Sequence, residues 1–116
     1  LHVEDDHDLT QVLAEALRGQ AVIVSAPTLA AARHHLKLSR FSLMLLDLAL
    51  SDGSGAELLD LAGNIPVITL SAKEPSPDIQ RRVMASLIKS RVSEMEVINK
   101  ILSVLPYKGV ERRKTP

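Results

Sequence analysis

The sequence predicts an α/β fold in which a parallel sheet carries helices on both faces. Several short runs of apolar, often β-branched residues lack the polar alternation of a strand that faces water, which is typical of strands buried on both sides. These runs alternate along the chain with segments whose apolar residues recur at helical spacing. Because ligands of such sheets bind beyond the carboxyl ends of the strands, we expect function at that edge.

The strands are predicted from their composition and from the turn residues around them. The first is a short apolar segment before a run of acids, and the last is the weakest because it mixes serine with apolar residues. We expect strands at residues 1–3, 21–26, 43–46, 66–71 and 85–89.

Helices are predicted between these strands from apolar spacing and from capping residues. We expect them at about residues 9–17, 28–38, 54–63, 79–82 and 93–105. Thr28 is the expected N-cap of the second helix. Two serine–glutamate pairs have the spacing of a capping box, Ser54 with Glu57 and Ser93 with Glu96. The fourth helix is short because Pro75 and Pro77 cannot lie inside a helix.

Composition and charge exclude several classes of protein. The chain has 116 residues, of which 46% are apolar, enough for the core of one domain. Its formal net charge is zero, which argues against a chain-wide surface for nucleic acid or another polyanion. Because it has no cysteine, disulfides, thiolate zinc sites and cysteine nucleophiles are excluded. No apolar run reaches the ~18 residues that a membrane-spanning helix needs.

The chain begins with Leu1 rather than Met, and we expect it to be part of a longer protein. Residues 1–105 are expected to form the folded domain. Residues 106–116 follow as a loose basic tail, which contains Lys108, Arg112, Arg113 and Lys114. The histidines lack the i, i+4 spacing of a zinc site, so we expect no metal role for them.

Polar and charged residues occur where four of the five predicted strands end. They are Glu4 and Asp5 after the first strand, Asp47 after the third, Ser71 in the fourth and Lys89 in the fifth. Because the carboxyl ends of parallel strands meet at one edge of a sheet, we expect these side chains to converge.

This combination of side chains predicts a site for phosphoryl chemistry. Carboxylates that lie close together repel one another unless a cation is present. Oxygen ligands favour a hard divalent ion, and Mg²⁺ prefers a few carboxylates, retained waters and a phosphate oxygen. The lysine adds a positive charge that suits phosphate oxygens, and the serine adds a hydrogen-bond donor. One carboxylate could then act as a nucleophile and form an aspartyl-phosphate.

Four segments of the sequence, in this order, resemble the receiver domains of two-component signalling (CheY-like). They are HVEDD (2–6), LMLLDLALSDGSG (43–55), PVITLSA (66–72) and LIK (87–89), and the resemblance covers about residues 1–105. It implies a flavodoxin-like, doubly wound sheet of five parallel strands in the order 2-1-3-4-5. It also implies that the fourth helix is shorter than is usual in the family.

The resemblance implies a role for each residue at the sheet edge. Asp47 would be the phosphoacceptor, and Ser71 and Lys89 would contact the phosphoryl group. Mg²⁺ would be held by Glu4, Asp5, Asp47 and the backbone carbonyl of Ala49. The donor would be the phosphohistidine of a histidine kinase or a histidine phosphotransfer domain, in the cytoplasm. Such a domain by itself catalyses only its own phosphorylation and dephosphorylation, and we expect it to contact neither nucleic acid nor membrane.

The segment around Lys89 departs from the family pattern. Ser86 stands where the family has an aromatic residue, Ser90 stands where it has proline, and the segment between Ser71 and Lys89 is shorter than usual. We therefore expect the phosphorylation chemistry to be intact. We expect the signal not to be passed on through the dimer that the family usually builds on the fourth helix, the fifth strand and the fifth helix. The peptide bond before Ser90 should be trans, because a cis bond to a residue other than proline costs roughly 3 kcal/mol.

Three questions of function stay open in the sequence. The shortened segment and the serine-capped last helix resemble receivers at the C-terminus of hybrid sensor histidine kinases, and we favour that context over an ordinary response regulator. A pseudo-receiver, acting in protein interactions without phosphorylation, is favoured by Ser86 and Ser90 but opposed by the complete set of acids. An aspartyl-phosphate phosphatase would need an acid/base aspartate where this chain has Ala49.

Overall fold

The computed structural model describes residues 1–105, so the predicted tail at 106–116 lies outside the described residues. The helices are α1 (His7–Ala16), α2 (Leu29–Leu38), α3 (Leu59–Ala62), α4 (Pro77–Arg82) and α5 (Glu94–Val104). The strands are β1 (His2–Val3), β2 (Ser25–Ala26), β3 (Met44–Leu46), β4 (Ala49–Leu50), β5 (Gly53–Ser54), β6 (Val67–Ser71) and β7 (Ala85–Ile88). Among the described helices, none is long and apolar enough to cross a membrane.

Five of the strands form one parallel sheet in the order β2-β1-β3-β6-β7. Counted within this sheet alone, the order is the predicted 2-1-3-4-5, and the flavodoxin-like, CheY-like fold class is confirmed. The register aligns the carboxyl ends, because Val3 pairs with Leu46 and Ser71 pairs with Ile88. The two remaining strands, β4 and β5, form a small antiparallel hairpin directly after β3.

The core is divided between the two faces of the sheet, because side chains alternate along each strand. One cluster joins the sheet to α2 and the segment around α3, and it includes Val3, Leu29, Met44, Leu46 and Leu58. The other joins the sheet to α1 and α5, and it includes Leu13, Leu45, Ile68, Leu70 and Val97. Helices therefore cover both faces, as the apolar strands predicted.

Strand β2 is much shorter than the predicted strand at 21–26. Only Ser25 and Ala26 pair with β1, and Val22 is 93% exposed. The reason is geometric, because β2 lies at the edge of the sheet and β1 itself begins at His2. The His2 N–H donates to the carbonyl of Val24, and no strand backbone of the described chain lies beyond it for residues 21–23 to pair with.

Residues 55–62 form a 3₁₀ turn, Gly55–Leu58, followed by the short α3, rather than the predicted capped helix. The Ser54 hydroxyl accepts a hydrogen bond from the Ala56 N–H. Glu57 does not return to the backbone of Ser54, because its carboxylate accepts from Arg33 of α2 at 2.6 Å. The predicted capping box at Ser54 and Glu57 is therefore wrong, since a long-range ion pair holds the glutamate.

The other predicted helix caps are confirmed. The Thr28 hydroxyl accepts from the Ala31 N–H, and Ser93 forms a reciprocal capping box with Glu96. Helix α4 is short, as expected, but it begins at Pro77, two residues before the predicted start, because proline is tolerated in a first helical turn. All peptide bonds in the described residues are trans, including the one before Ser90.

Candidate functional site

The parallel sheet brings the predicted site residues to one edge. The Asp47 N–H donates to the carbonyl of Val3, which fixes the end of β3 beside the end of β1. In the same way the Lys89 N–H donates to the carbonyl of Ser71, which fixes the end of β7 beside the end of β6. Side chains that are far apart in the sequence therefore meet because their strands stop at the same level.

The ammonium group of Lys89 lies between two buried carboxylates. Its Nζ atom is 3.0 Å from Glu4 Oε1 and 3.1 Å from Asp47 Oδ2. The side chains of Glu4 and Asp47 are only 1% and 5% exposed, whereas that of Lys89 is 32% exposed. One positive charge thus compensates two negative charges in a nearly water-free environment, while its own side chain still reaches solvent.

A third carboxylate completes an acidic cluster of Glu4, Asp5 and Asp47, with one oxygen of each within 4.8 Å of the others. Unlike the other two, Asp5 is exposed and can meet an ion that approaches from water. With Lys89 counted, the cluster keeps a formal excess of negative charge. An all-oxygen donor set of this kind fits a hard divalent cation such as Mg²⁺.

Two other predicted site residues have contacts that leave their roles untested. The Ser71 hydroxyl donates to the carbonyl of Lys73 at 2.7 Å rather than to a carboxylate of the cluster. The Ala49 N–H donates to Asp47 Oδ1 at 3.0 Å, so this residue lies directly against the predicted phosphoacceptor. The metal-ligand role of the Ala49 carbonyl remains a prediction.

Burial and the paired charges change the acid–base behaviour of the site. Burial raises the pKa of Glu4 to about 7, although the hydrogen bond from Lys89 opposes the change. For Lys89, burial acts to lower the pKa, but the hydrogen bonds to Glu4 and Asp47 outweigh it and raise the pKa above its ordinary value. The ammonium therefore stays charged at neutral pH, and Glu4 is the group that exchanges a proton there.

His2 of β1 is a buried polar residue that the sequence patterns did not single out. It is 3% exposed, and neither ring nitrogen has a hydrogen-bond partner among the described residues. Burial lowers the pKa of His2 to about 4, and the positive charge of Lys89 acts in the same direction. Residues two apart on a strand lie on the same face, so His2 shares the face of Glu4. This spacing is the signal that could have indicated a buried neutral imidazole.

The pKa shifts of His2 and Glu4 predict opposing effects of pH on stability in the metal-free domain. The folded pKa of His2, about 4, lies below its ordinary 6.5, so its contribution is lost as pH falls through this window. The folded pKa of Glu4, about 7, lies above its ordinary 4.5, so its contribution is lost as pH rises through that window. We therefore expect His2→Leu to stabilise the domain increasingly as pH falls from 6.5 to 4.5 and to expose the falling limb due to Glu4.

Urea denaturation between pH 4.5 and 7.5, without metal ions, measures this effect. The matched control is His34→Leu, because His34 is exposed on α2 and its replacement should leave the shape of the profile unchanged. A His2→Leu profile that is parallel to that of the wild type would contradict the assignment of a buried neutral imidazole.

A scan against protein-family models matches the response regulator receiver domain over residues 1–93. The chain belongs to this family. Receiver domains are the components of two-component signalling that the sequence motifs resemble, and the family match covers all five strands of the main sheet. No sequence among the curated proteins matches the chain.

Solved structures of other receiver domains have the same fold. The signal receiver domain of a LuxO-type repressor protein from Vibrio parahaemolyticus is 24% identical, with a TM-score of 0.77 over 99% of this chain and 95% of that one. A CheY-like receiver from Methanospirillum hungatei is 20% identical, with a TM-score of 0.75 over 90% of each chain. A response regulator from Burkholderia pseudomallei, solved with a phosphorylated aspartic acid, a calcium ion and citrate, is 19% identical, with a TM-score of 0.71 over 98% of this chain and 71% of that one.

Proposed function

We propose that this receiver domain accepts a phosphoryl group on Asp47 from a phosphohistidine, with Mg²⁺ bound at the acidic cluster. The observation that carries the proposal is the contact of Asp47 with Lys89 inside a cluster that also contains Glu4 and Asp5. This arrangement supplies a nucleophile, a fixed cation and oxygen ligands within one small volume. The phosphorylated aspartic acid and calcium ion of the Burkholderia pseudomallei relative support the same chemistry here.

In the transfer, a carboxylate oxygen of Asp47 attacks phosphorus. An oxygen–phosphorus bond forms while the phosphorus–nitrogen bond to the donor histidine breaks, and the bonding electrons remain on the imidazole nitrogen. A bound Mg²⁺ would neutralise negative charge on the phosphoryl oxygens, held by Glu4, Asp5, Asp47 and the Ala49 carbonyl. In phosphoryl release, water attacks phosphorus, the oxygen–phosphorus bond to Asp47 breaks with its electrons on the carboxylate, and inorganic phosphate leaves.

The residues around Asp47 act mainly by position and charge. Lys89 already touches Asp47 Oδ2, and its partly exposed ammonium can pair with an oxygen of the incoming group. The Ala49 N–H holds Asp47 Oδ1 and limits rotation of the carboxylate. Ser71 would exchange its hydrogen bond to the Lys73 carbonyl for one to the phosphoryl group.

The wider setting of the domain is part of the proposal. The donor is a histidine kinase or a histidine phosphotransfer domain in the cytoplasm, and the parent protein is a hybrid sensor histidine kinase rather than an ordinary response regulator. The shortened segment before Lys89 and the six-residue α4 support this context. The test is the sequence upstream of Leu1, where a kinase ATP-binding domain is the expected result.

Incubation with Mg²⁺ and acetyl phosphate, followed by intact-mass spectrometry, tests the phosphoryl transfer. We expect the wild type to gain one phosphoryl group and Asp47→Asn to gain none. Asp8→Asn is the matched control, because Asp8 is an exposed aspartate in the first turn of α1 and its variant should be modified like the wild type. An unmodified wild type would favour the pseudo-receiver, and modification that persists in Asp47→Asn would refute Asp47 as the acceptor.

A further inference from the structure

Asp52 caps a helix to which it is not adjacent in the sequence. It lies at the tip of the β4–β5 hairpin that follows Asp47. Its Oδ1 accepts from the Leu29 N–H at 2.9 Å, and its Oδ2 accepts from the Ala30 N–H at 3.2 Å. Both donors belong to the first turn of α2, whose N–H groups have no partner within the helix. The hairpin is thereby fastened to α2 through a bidentate contact.

Further contacts hold the same segment against α2. Arg33 of α2 donates to Glu57, which lies in the 3₁₀ turn after the hairpin. Gly53, with φ +144°, lies so close to Leu29 that an added Cβ would be 2.8 Å from Leu29 Cδ1. The side of the hairpin near Asp52 thus rests on the helix through packing as well as through hydrogen bonds.

The base of the hairpin is joined to the phosphoacceptor. The Ala49 N–H donates to Asp47 Oδ1, and the Gly55 N–H donates to the carbonyl of Leu48. A pair of two-residue strands has little stability alone, so the position of Ala49 depends on what fixes the two ends of the hairpin. Asp47 fixes one end, and Asp52 fixes the other.

We propose that Asp52 is a positioning residue for the metal site, because its bonds to α2 hold Ala49 in place beside Asp47. The inference rests on the proposed function, in which the Ala49 carbonyl is a metal ligand. Asp52 is exposed, and among the described residues its side-chain hydrogen bonds go to Leu29 and Ala30 rather than to the acidic cluster, so its effect passes through the hairpin backbone. Loss of the contact should leave the fold intact but weaken metal binding, as outer-shell changes commonly do.

Titration of Mg²⁺ into the full chain, followed by NMR, tests the inference. We expect Asp52→Ala to weaken Mg²⁺ affinity about tenfold. Asp52→Asn should recover part of the loss, because its side-chain carbonyl can still accept one of the two N–H bonds. Faster hydrogen exchange at Leu29 and Ala30 in Asp52→Ala would verify that the helix cap has been lost.

Thr28→Ala is the matched control, because the Thr28 hydroxyl caps α2 by accepting from the Ala31 N–H, a bond within the helix end rather than to the hairpin. Its Mg²⁺ affinity should equal that of the wild type. Equal weakening by Thr28→Ala and Asp52→Ala would overturn the inference, since helix stability alone would then explain the loss. Unchanged affinity in Asp52→Ala would overturn it while leaving the proposed function intact. Absence of Mg²⁺ binding by the wild type would overturn both.

Discussion

Lys89→Met is expected to destabilise the metal-free domain by about 3 kcal/mol at neutral pH. The substitution keeps most of the side-chain volume but leaves Glu4 and Asp47 as buried carboxylates without a counter-charge. The cost lies at the low end for a broken buried pair, because Lys89 is one-third exposed and Glu4 can take up a proton. The pKa of Glu4 should rise further in the variant, so the loss of stability should grow as pH rises.

Urea denaturation with and without Mg²⁺ measures the effect of Lys89→Met. A bound cation can replace the missing ammonium charge, so Mg²⁺ should stabilise the variant more than the wild type. Lys37→Met is the matched control, because Lys37 is an exposed lysine near the end of α2, and we expect it to change stability by less than about 0.5 kcal/mol. Equal destabilisation by the two variants would contradict the compensating role of Lys89.

The residues of the acidic cluster could be predicted from the sequence because their positions follow from topology. Parallel strands end at one edge, so a polar residue after an apolar run has a known location even when its strand length is uncertain. Glu4, Asp47 and Lys89 meet for this reason. The caps of α2 and α5, Thr28 and Ser93, could be predicted for a different reason, since each depends only on neighbours within one helical turn.

Contacts between distant segments could not be predicted in this way. Asp52 caps a helix whose first turn lies 23 residues earlier, and nothing in the local sequence indicates that pairing. Glu57 leaves its predicted cap for Arg33 for the same reason. The Ser71 hydroxyl donates to the Lys73 carbonyl, and this contact depends on a side-chain rotation that strand patterns do not fix.

The length of β2 is determined by β1, the strand with which it pairs. Residues 21–23 have strong strand composition, yet the edge position and the start of β1 at His2 leave them without a strand backbone to pair with. The prediction that this run is buried on both faces is therefore wrong, because Val22 is 93% exposed and Ala26 alone is fully buried, and pairing limited the strand to Ser25 and Ala26. The edge that carries the acidic cluster is unaffected, because pairing is complete at the carboxyl end, where Val3 pairs with Ala26.

Gly55→Ala is expected to cost about 3 kcal/mol and to impair phosphorylation of Asp47. An added Cβ at this position would lie 2.2 Å from the carbonyl oxygen of Asp47 and 2.9 Å from Leu46 Cδ1. Backbone cannot give way as a flexible side chain can, so the 3₁₀ turn or the end of β3 must move. Either movement displaces Asp47, the proposed phosphoacceptor, from its contacts with Lys89 and Ala49.

Gly19→Ala is the matched control for this crowding. Gly19 has φ +84° and no atom within 4 Å of an added Cβ, so its replacement should cost only the backbone strain, about 1 kcal/mol, and leave phosphorylation unchanged. Gly55 is not among the glycines with positive φ, so its larger cost would come from contact alone. Equal free energies of unfolding for the two variants, with equal rates of modification by acetyl phosphate, would show that the turn does not press on Asp47. A greater loss of stability and slower modification in Gly55→Ala than in Gly19→Ala would show that the position of Asp47 depends on Gly55, because an added Cβ at residue 55 does not fit beside the Asp47 carbonyl.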